Sequence, residues 1–185
     1  MHQYTPLLVL FPLVGFLVNG FFGRKIHSER IVGWIGSLAV GIPFLLAASI
    51  LFSMLGGDPE QRSHIIPLFT WIAAGSFSVS AAYQVDQLSI LMTLIVTGVG
   101  FLIHVYSIGY MHGDRSFWRF FTYLNLFIFA MLNLVLADNY VLMFLGWEGV
   151  GLCSYLLIGF WYDRKFAGTG IVWTGDAGNK AFWVN

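Results

Sequence analysis

The sequence predicts an all-α integral membrane protein. It would have five transmembrane helices, the start of a sixth, and an extracytoplasmic loop or β-hairpin at about 56–85. Three observations carry this fold class. First, of 185 residues 58% are hydrophobic, 18% aromatic and only 10% charged. A soluble domain carries roughly 25% charged residues. A soluble enzyme, a disordered chain and an ordinary secreted domain are thereby excluded. Second, five almost uncharged runs have spanning length. Third, the basic residues between those runs collect on one side.

The runs are 5–23, 31–55, 87–110, 120–137 and 140–162, the last with one carboxylate inside. A hydrocarbon core of ~30 Å needs about 20 helical residues. The first run is not a signal peptide. It has no basic leader and no small-x-small cleavage site, and a second span follows one short loop. The stretch 63–85 is also uncharged until its end, but it holds Pro67, Thr70, Gly75, Ser76, Ser78 and Ser80. Phe77-Ser78-Val79-Ser80 alternates with period two, as a strand does.

The positive-inside rule arbitrates. With five spans, Arg24, Lys25, Arg30, Arg115, Arg119, Arg164 and Lys165 share one side, and Arg62 faces them from the other. If 63–85 also crossed, Arg24, Lys25 and Arg30 would stand against Arg62, Arg115, Arg119, Arg164 and Lys165. The five-span arrangement separates charge far better. It places the N-terminus outside and 56–85 in an outer loop. A further helix begins near 170–185, so residues 1–185 read as a single membrane domain at the front of a longer protein.

Nine basic against nine acidic residues leave no net charge, hence no cationic footprint for nucleic acid. One cysteine excludes an internal disulfide framework and a cysteine-rich metal site. The sequence shows no phosphate loop, no metal-spaced cluster and no nucleophile triad.

Glu148 is the most informative residue. It sits in Gly146-Trp147-Glu148-Gly149-Val150-Gly151, roughly 12 Å into the fifth span. An ionised carboxylate there costs at least ~2.5–3.5 kcal/mol. It must face protein or water, pair with a cation, or hold a proton. Desolvation and a cation pull its proton affinity in opposite directions, which suits proton transfer. The competing reading is a neutral acid bonding between helices.

Gly146, Gly149 and Gly151 would let a neighbouring helix approach closely. His104, late in the third span, is a second candidate as a relay, since histidine titrates near neutrality. A packed histidine is the plainer alternative. Lys180 is a third candidate, placed in an incipient helix, where relay and snorkelling both fit.

Asp86 stands where an acidic residue complements a helix N-terminus. Arg115 and Arg119 anchor the inner interface. Asp138-Asn139 suits the turn between the fourth and fifth spans, and Cys153 reads as apolar filler.

Several strings resemble the antiporter-like proton-channel subunits of respiratory complex I, and most closely the largest of them. They are Val85-Asp86-Gln-Leu-Ser, Thr97-Gly-Val-Gly-Phe-Leu-Ile-His104, Phe120-Phe-Thr-Tyr-Leu-Asn-Leu-Phe127, and Leu136-Ala-Asp-Asn139. Gly146-Trp-Glu148-Gly-Val-Gly-Leu-Cys-Ser-Tyr-Leu-Leu-Ile-Gly-Phe160 follows. Together they run across nearly half the chain.

The resemblance implies that Glu148 matches the family's essential fifth-helix glutamate, which pairs with a lysine on the seventh helix. Lys180 precedes that helix and is not the partner. It also implies a proton-translocating membrane subunit of an NADH:quinone oxidoreductase, with no redox centre of its own. FMN, iron–sulfur clusters and quinone would reside in partner subunits. Its surroundings would be the other membrane and peripheral subunits and the lipid of a bacterial cytoplasmic or mitochondrial inner membrane. Large subunits of multisubunit sodium/proton antiporters share the glutamate motif and give a second reading. A bracing subunit without its own ion path gives a third.

Overall fold

The computed structural model describes residues 4–26, 28–56, 63–75 and 77–161. The elements run α1 (Thr5–Phe22), α2 (Glu29–Leu55), β1 (His64–Ala74), β2 (Phe77–Val85), α3 (Gln87–Tyr110), α4 (Phe117–Leu136) and α5 (Tyr140–Ile158). All five helices are long and apolar enough to cross a membrane. The sixth-helix start expected near 170–185, and Lys180 with it, lie outside the described residues.

α4 is the hub, because it packs against α1, α2, α3 and α5. Its buried positions Phe117, Phe121, Leu124, Ile128, Leu132 and Leu136 recur every three or four residues, the spacing that lines one helix face. Two apolar clusters form around it. The outer one joins Leu8, Val40, Ile50, Ile90, Ile128 and Leu132 to Tyr83 and Val85 of the hairpin. The inner one gathers Val32, Met111, Phe117, Phe121 and Phe160. Pro12 and Pro43 lie inside α1 and α2. Membrane helices tolerate proline because neighbouring helices re-satisfy the freed backbone groups.

Residues 64–85 resolve the expected loop or hairpin as an antiparallel hairpin, with Ile66 opposite Tyr83 and Ala74 opposite Phe77. Gly75 makes the turn at φ 61°, a left-handed conformation that glycine adopts without a Cβ penalty. β2 is the inner strand, with Ala81, Ala82, Tyr83 and Val85 buried.

Three hydrogen bonds tie β2 to α4 and the α4–α5 turn. Tyr83 Oη donates to Asn133 Oδ1 at 2.9 Å. Asp138 N donates to Ala82 O at 3.1 Å. Asn139 Nδ2 donates to Ser80 O at 2.7 Å. The strand then passes into α3 through a capping box. Ser89 N donates to Asp86 Oδ1 at 2.7 Å, and Asp86 N donates to Ser89 Oγ at 2.8 Å, so two otherwise orphaned donors are satisfied reciprocally.

The inner ends are latched separately. Trp161 Nε1 donates to Asp114 Oδ2 at 3.0 Å. Arg119 lies within α4, where Nη2 donates to Phe160 O at 3.1 Å and the guanidinium sits 4.9 Å from the Phe160 ring centre. It therefore binds the end of α5 as well as marking the interface. Glu29 Oε2 accepts from His112 Nδ1 at 2.8 Å and from Gly113 N at 3.2 Å, which closes α2 onto the α3–α4 loop.

Candidate proton-transfer site

The site rests on how α5 is held. Asn139 caps it by accepting from Leu142 N at 3.0 Å. The helix meets α4 through Leu142, Gly146 and Cys153, all buried, with Gly149 beside them. A Cβ on Gly146 would lie 2.6 Å from Leu134 N, and one on Gly149 would lie 2.9 Å from Ala130 Cβ. The two backbones touch there because no side chain intervenes. Gly151 differs. A Cβ on it meets nothing within 4 Å, because it lies on the opposite side of α5.

Each residue turns an α-helix by about 100°, so Glu148 faces away from α4. It is exposed on a stripe with Val141, Leu145, Leu152 and Tyr155. Among the described residues it forms no ion pair. A bare carboxylate facing lipid at this depth is costly, so this stripe is a surface made for protein or water.

His104 is placed differently. It is 1% exposed in the interior of α1–α4. Its Nδ1 lies 2.7 Å from Gly100 O. That carbonyl can only accept, so Nδ1 carries a proton, and Nε2 keeps a lone pair whenever the ring is neutral. The ring meets Phe121 edge-on at 6.0 Å between centres. His104 lines a groove of about 300 Å³ that α3 and α4 form with Leu157 of α5, walled by Val96, Val99, Leu124, Ile128 and Met131. Apart from His104 that lining is apolar, so among the described residues it offers no polar chain toward α5. The structure does not bring His104 and Glu148 together. Among the described residues no group of three or more metal-ligating side chains is found.

The sequence reading passed over Asn19, Asn125 and Asn133. All three are buried amides within helices. Their signal was a lone amide set among apolar neighbours, as in Leu124-Asn125-Leu126 and Leu132-Asn133-Leu134.

Comparison with known proteins gives this geometry its context. Residues 71–121, with His104, match the family described as NADH-ubiquinone oxidoreductase (complex I), chain 5 N-terminus. Residues 137–176, with Glu148, match NADH:quinone oxidoreductase/Mrp antiporter, TM. The chain is 48% identical to NADH-quinone oxidoreductase subunit L of Mycobacterium tuberculosis, over 99% of this chain and 28% of that protein. It is 47% identical to subunit L of Escherichia coli, over 96% and 27% respectively. It is 44% identical to NADH-ubiquinone oxidoreductase chain 5 of Hypocrea jecorina, over 88% and 23%.

The chain thus spans about a quarter of the length of the curated relatives it matches. Its fold also matches a chain of the membrane-bound sulfane sulfur reductase, an archaeal respiratory membrane complex. The TM-score is 0.72 at 13% identity, covering 91% of this chain and 32% of that one. Five spanning helices, a carboxylate on the open face of the fifth, and relatives aligned over almost the whole chain converge. This is a multi-pass membrane protein that belongs to the family of antiporter-like subunits of NADH:quinone oxidoreductase and matches their N-terminal portion.

Proposed function

We propose that the chain forms the front of a proton-translocating subunit, and that Glu148 takes up and releases a proton within it. The observation that carries this reading is the position of Glu148. It is the one acidic residue set well inside a described span, about 12 Å from the outer end of α5, and it faces away from every described helix. A cation brought to that face would favour the charged carboxylate, and its withdrawal would favour the proton. Electron transfer would occur on partner subunits that hold FMN, iron–sulfur clusters and quinone, and this chain would supply the ion path alone. His104 is a relay candidate only through the bundle interior, because among the described residues no polar chain links it to Glu148. Lys180 keeps the role of a low-ranking candidate in the next helix. The N-terminus lies outside, with the arginine- and lysine-rich loops in the cytoplasm or matrix.

The test is Glu148→Gln in the full-length subunit within its assembled complex. We expect assembly and NADH oxidation to persist while proton pumping into proteoliposomes falls at least fivefold. Pumping at the unaltered rate would overturn the role of Glu148.

The shared Mrp antiporter description over α5 supports a second reading, a sodium/proton antiporter subunit driven by ion gradients. Co-purification separates the two: iron–sulfur and quinone-reducing partners mark the first, and their absence from an intact assembly marks the second.

A further inference from the structure

The two apolar clusters of the bundle do not meet. On α2, Val32 belongs to the inner one and Val40 to the outer, with Gly36 and Ser37 between them. On α4, Phe121 is inner and Ile128 outer, with Asn125 between. On α3, Met111 is inner and Ile90 outer, and His104 lies between. Asn19 of α1 reaches the same level. The ideal Cβ position of Gly36 lies 2.9 Å from Asn125 Nδ2 and 3.2 Å from Asn19 Nδ2. Phe121 Cδ1 is 2.8 Å from that point, and His104 packs on the Phe121 ring.

Three polar atoms at this level are buried and find no hydrogen-bond partner among the described residues: Asn19 Oδ1, Asn125 Oδ1 and His104 Nε2. Their residues are no more than 1% exposed. The two amide oxygens are set as acceptors by the bonds their own nitrogens make, and His104 Nε2 is an acceptor in the neutral ring. Asn19 Nδ2 donates to Val32 O at 3.4 Å. Asn125 Nδ2 donates to Phe121 O at 2.9 Å. His104 Nδ1 donates to Gly100 O at 2.7 Å. Flipping either amide would set an oxygen against a carbonyl, and turning the imidazole over would replace its bond to Gly100 O with a C–H contact. Three acceptors cannot satisfy one another, and a buried polar group without a partner costs about 1–3 kcal/mol. Only a guest that donates can complete the set. No described carboxylate reaches this level to neutralise a cation, and an unpaired buried charge is far costlier than a neutral dipole.

We propose that the inner half of the α1–α4 bundle is a hydration site, in which bound water donates to Asn19 Oδ1, Asn125 Oδ1 and His104 Nε2. Buried water bridging otherwise unpaired polar groups is a structural component of many proteins. This site lies on the other side of α4 from the open face of Glu148, and it stands whether or not Glu148 moves protons.

X-ray hydroxyl-radical footprinting of the full-length subunit in its complex tests it, because radicals form from internal water beside the side chains they oxidise. We expect Phe121 and His104 to be oxidised despite their burial, at a rate within about threefold of exposed Tyr106. Asn125→Leu, close in shape but without polar atoms, should lower that rate at least threefold. No oxidation of Phe121 and His104 in the unaltered protein overturns the proposal, whatever the variant does. So does an unchanged rate in a folded variant. A density feature at the site that appears with sodium and vanishes in choline buffer would assign it to a cation and overturn it as well.

Discussion

Two glycines of α5 meet opposite surroundings. Gly146 lies where a Cβ would press to 2.6 Å from the Leu134 backbone, which cannot swing aside as a flexible side chain can. Gly151 has open space. Gly146→Leu should therefore force α5 off α4 and destabilise the protein by about 1–3 kcal/mol, the usual range for overpacking. Gly151→Ala should be neutral or slightly stabilising, since alanine favours the helix. Thermal unfolding of the detergent-extracted full-length subunit reads both. Equal midpoints for the two variants would contradict the packing described for α5. The same contact orients Glu148, so Gly146→Leu should also reduce pumping, while Gly151→Ala, on the other side of the helix, should not act through α4.

At the scale of elements, the hairpin is joined to the bundle by few but specific bonds. Tyr83 is the one that titrates. Burial pushes its phenol up to about 12. The neutral form is thus favoured in the folded hairpin. The stabilisation is fully present below the ordinary tyrosine value near 10 and is lost as pH rises from there through about 12. Hydrogen exchange of the β2 amides should accelerate across that window in the unaltered protein. Tyr83→Phe removes the 2.9 Å bond and strands Asn133 Oδ1, at a cost of about 1–3 kcal/mol. It should raise exchange at neutral pH and leave less additional change above pH 10. An identical pH profile in the variant would show that Tyr83 does not hold the hairpin.

Elements were unevenly legible. The five helices could be read because charge is missing over spanning lengths. The hairpin remained one of two options, because its pairing with Asn133 and Asn139 depends on residues fifty or more positions away and Pro67 interrupts any strand pattern. Glu148 could be read as a carboxylate in a span, but its direction could not. α5 is apolar all round, so its sequence names no inner face. Only Gly146 and Gly149 hinted at one. The interior amides were silent for another reason: whether an asparagine is satisfied depends on which carbonyl its nitrogen meets.

For the whole molecule, the decisive property is which end of the bundle faces which compartment. From the segregation of arginine and lysine we expect the α1–α2 and α3–α4 loops inside and the hairpin outside. In a full-length Cys153→Ala background, a cysteine at Ser28 should react with an impermeant maleimide only in inverted vesicles. A cysteine at Thr70, exposed on β1, should react in intact cells. The reverse pattern would turn the bundle over and move Glu148 toward the opposite compartment. The two ends also differ in construction. The outer end is closed by strand pairing and amide bonds, the inner end by the Asp114–Trp161 and Arg119–Phe160 latches.

The bonds between β2 and the start of α5 also impose an order in time. Tyr83 leaves the ribosome 50 residues before Asn133, and Ser80 leaves 59 before Asn139. At a synthesis rate of about 5–20 residues per second, that interval lasts roughly 3–12 s. The hairpin is therefore made before its dock and must wait for it. During that wait its unpaired edge is open to any other strand. The start of α5 is the last part of the hairpin's dock to be made, and its arrival closes that window.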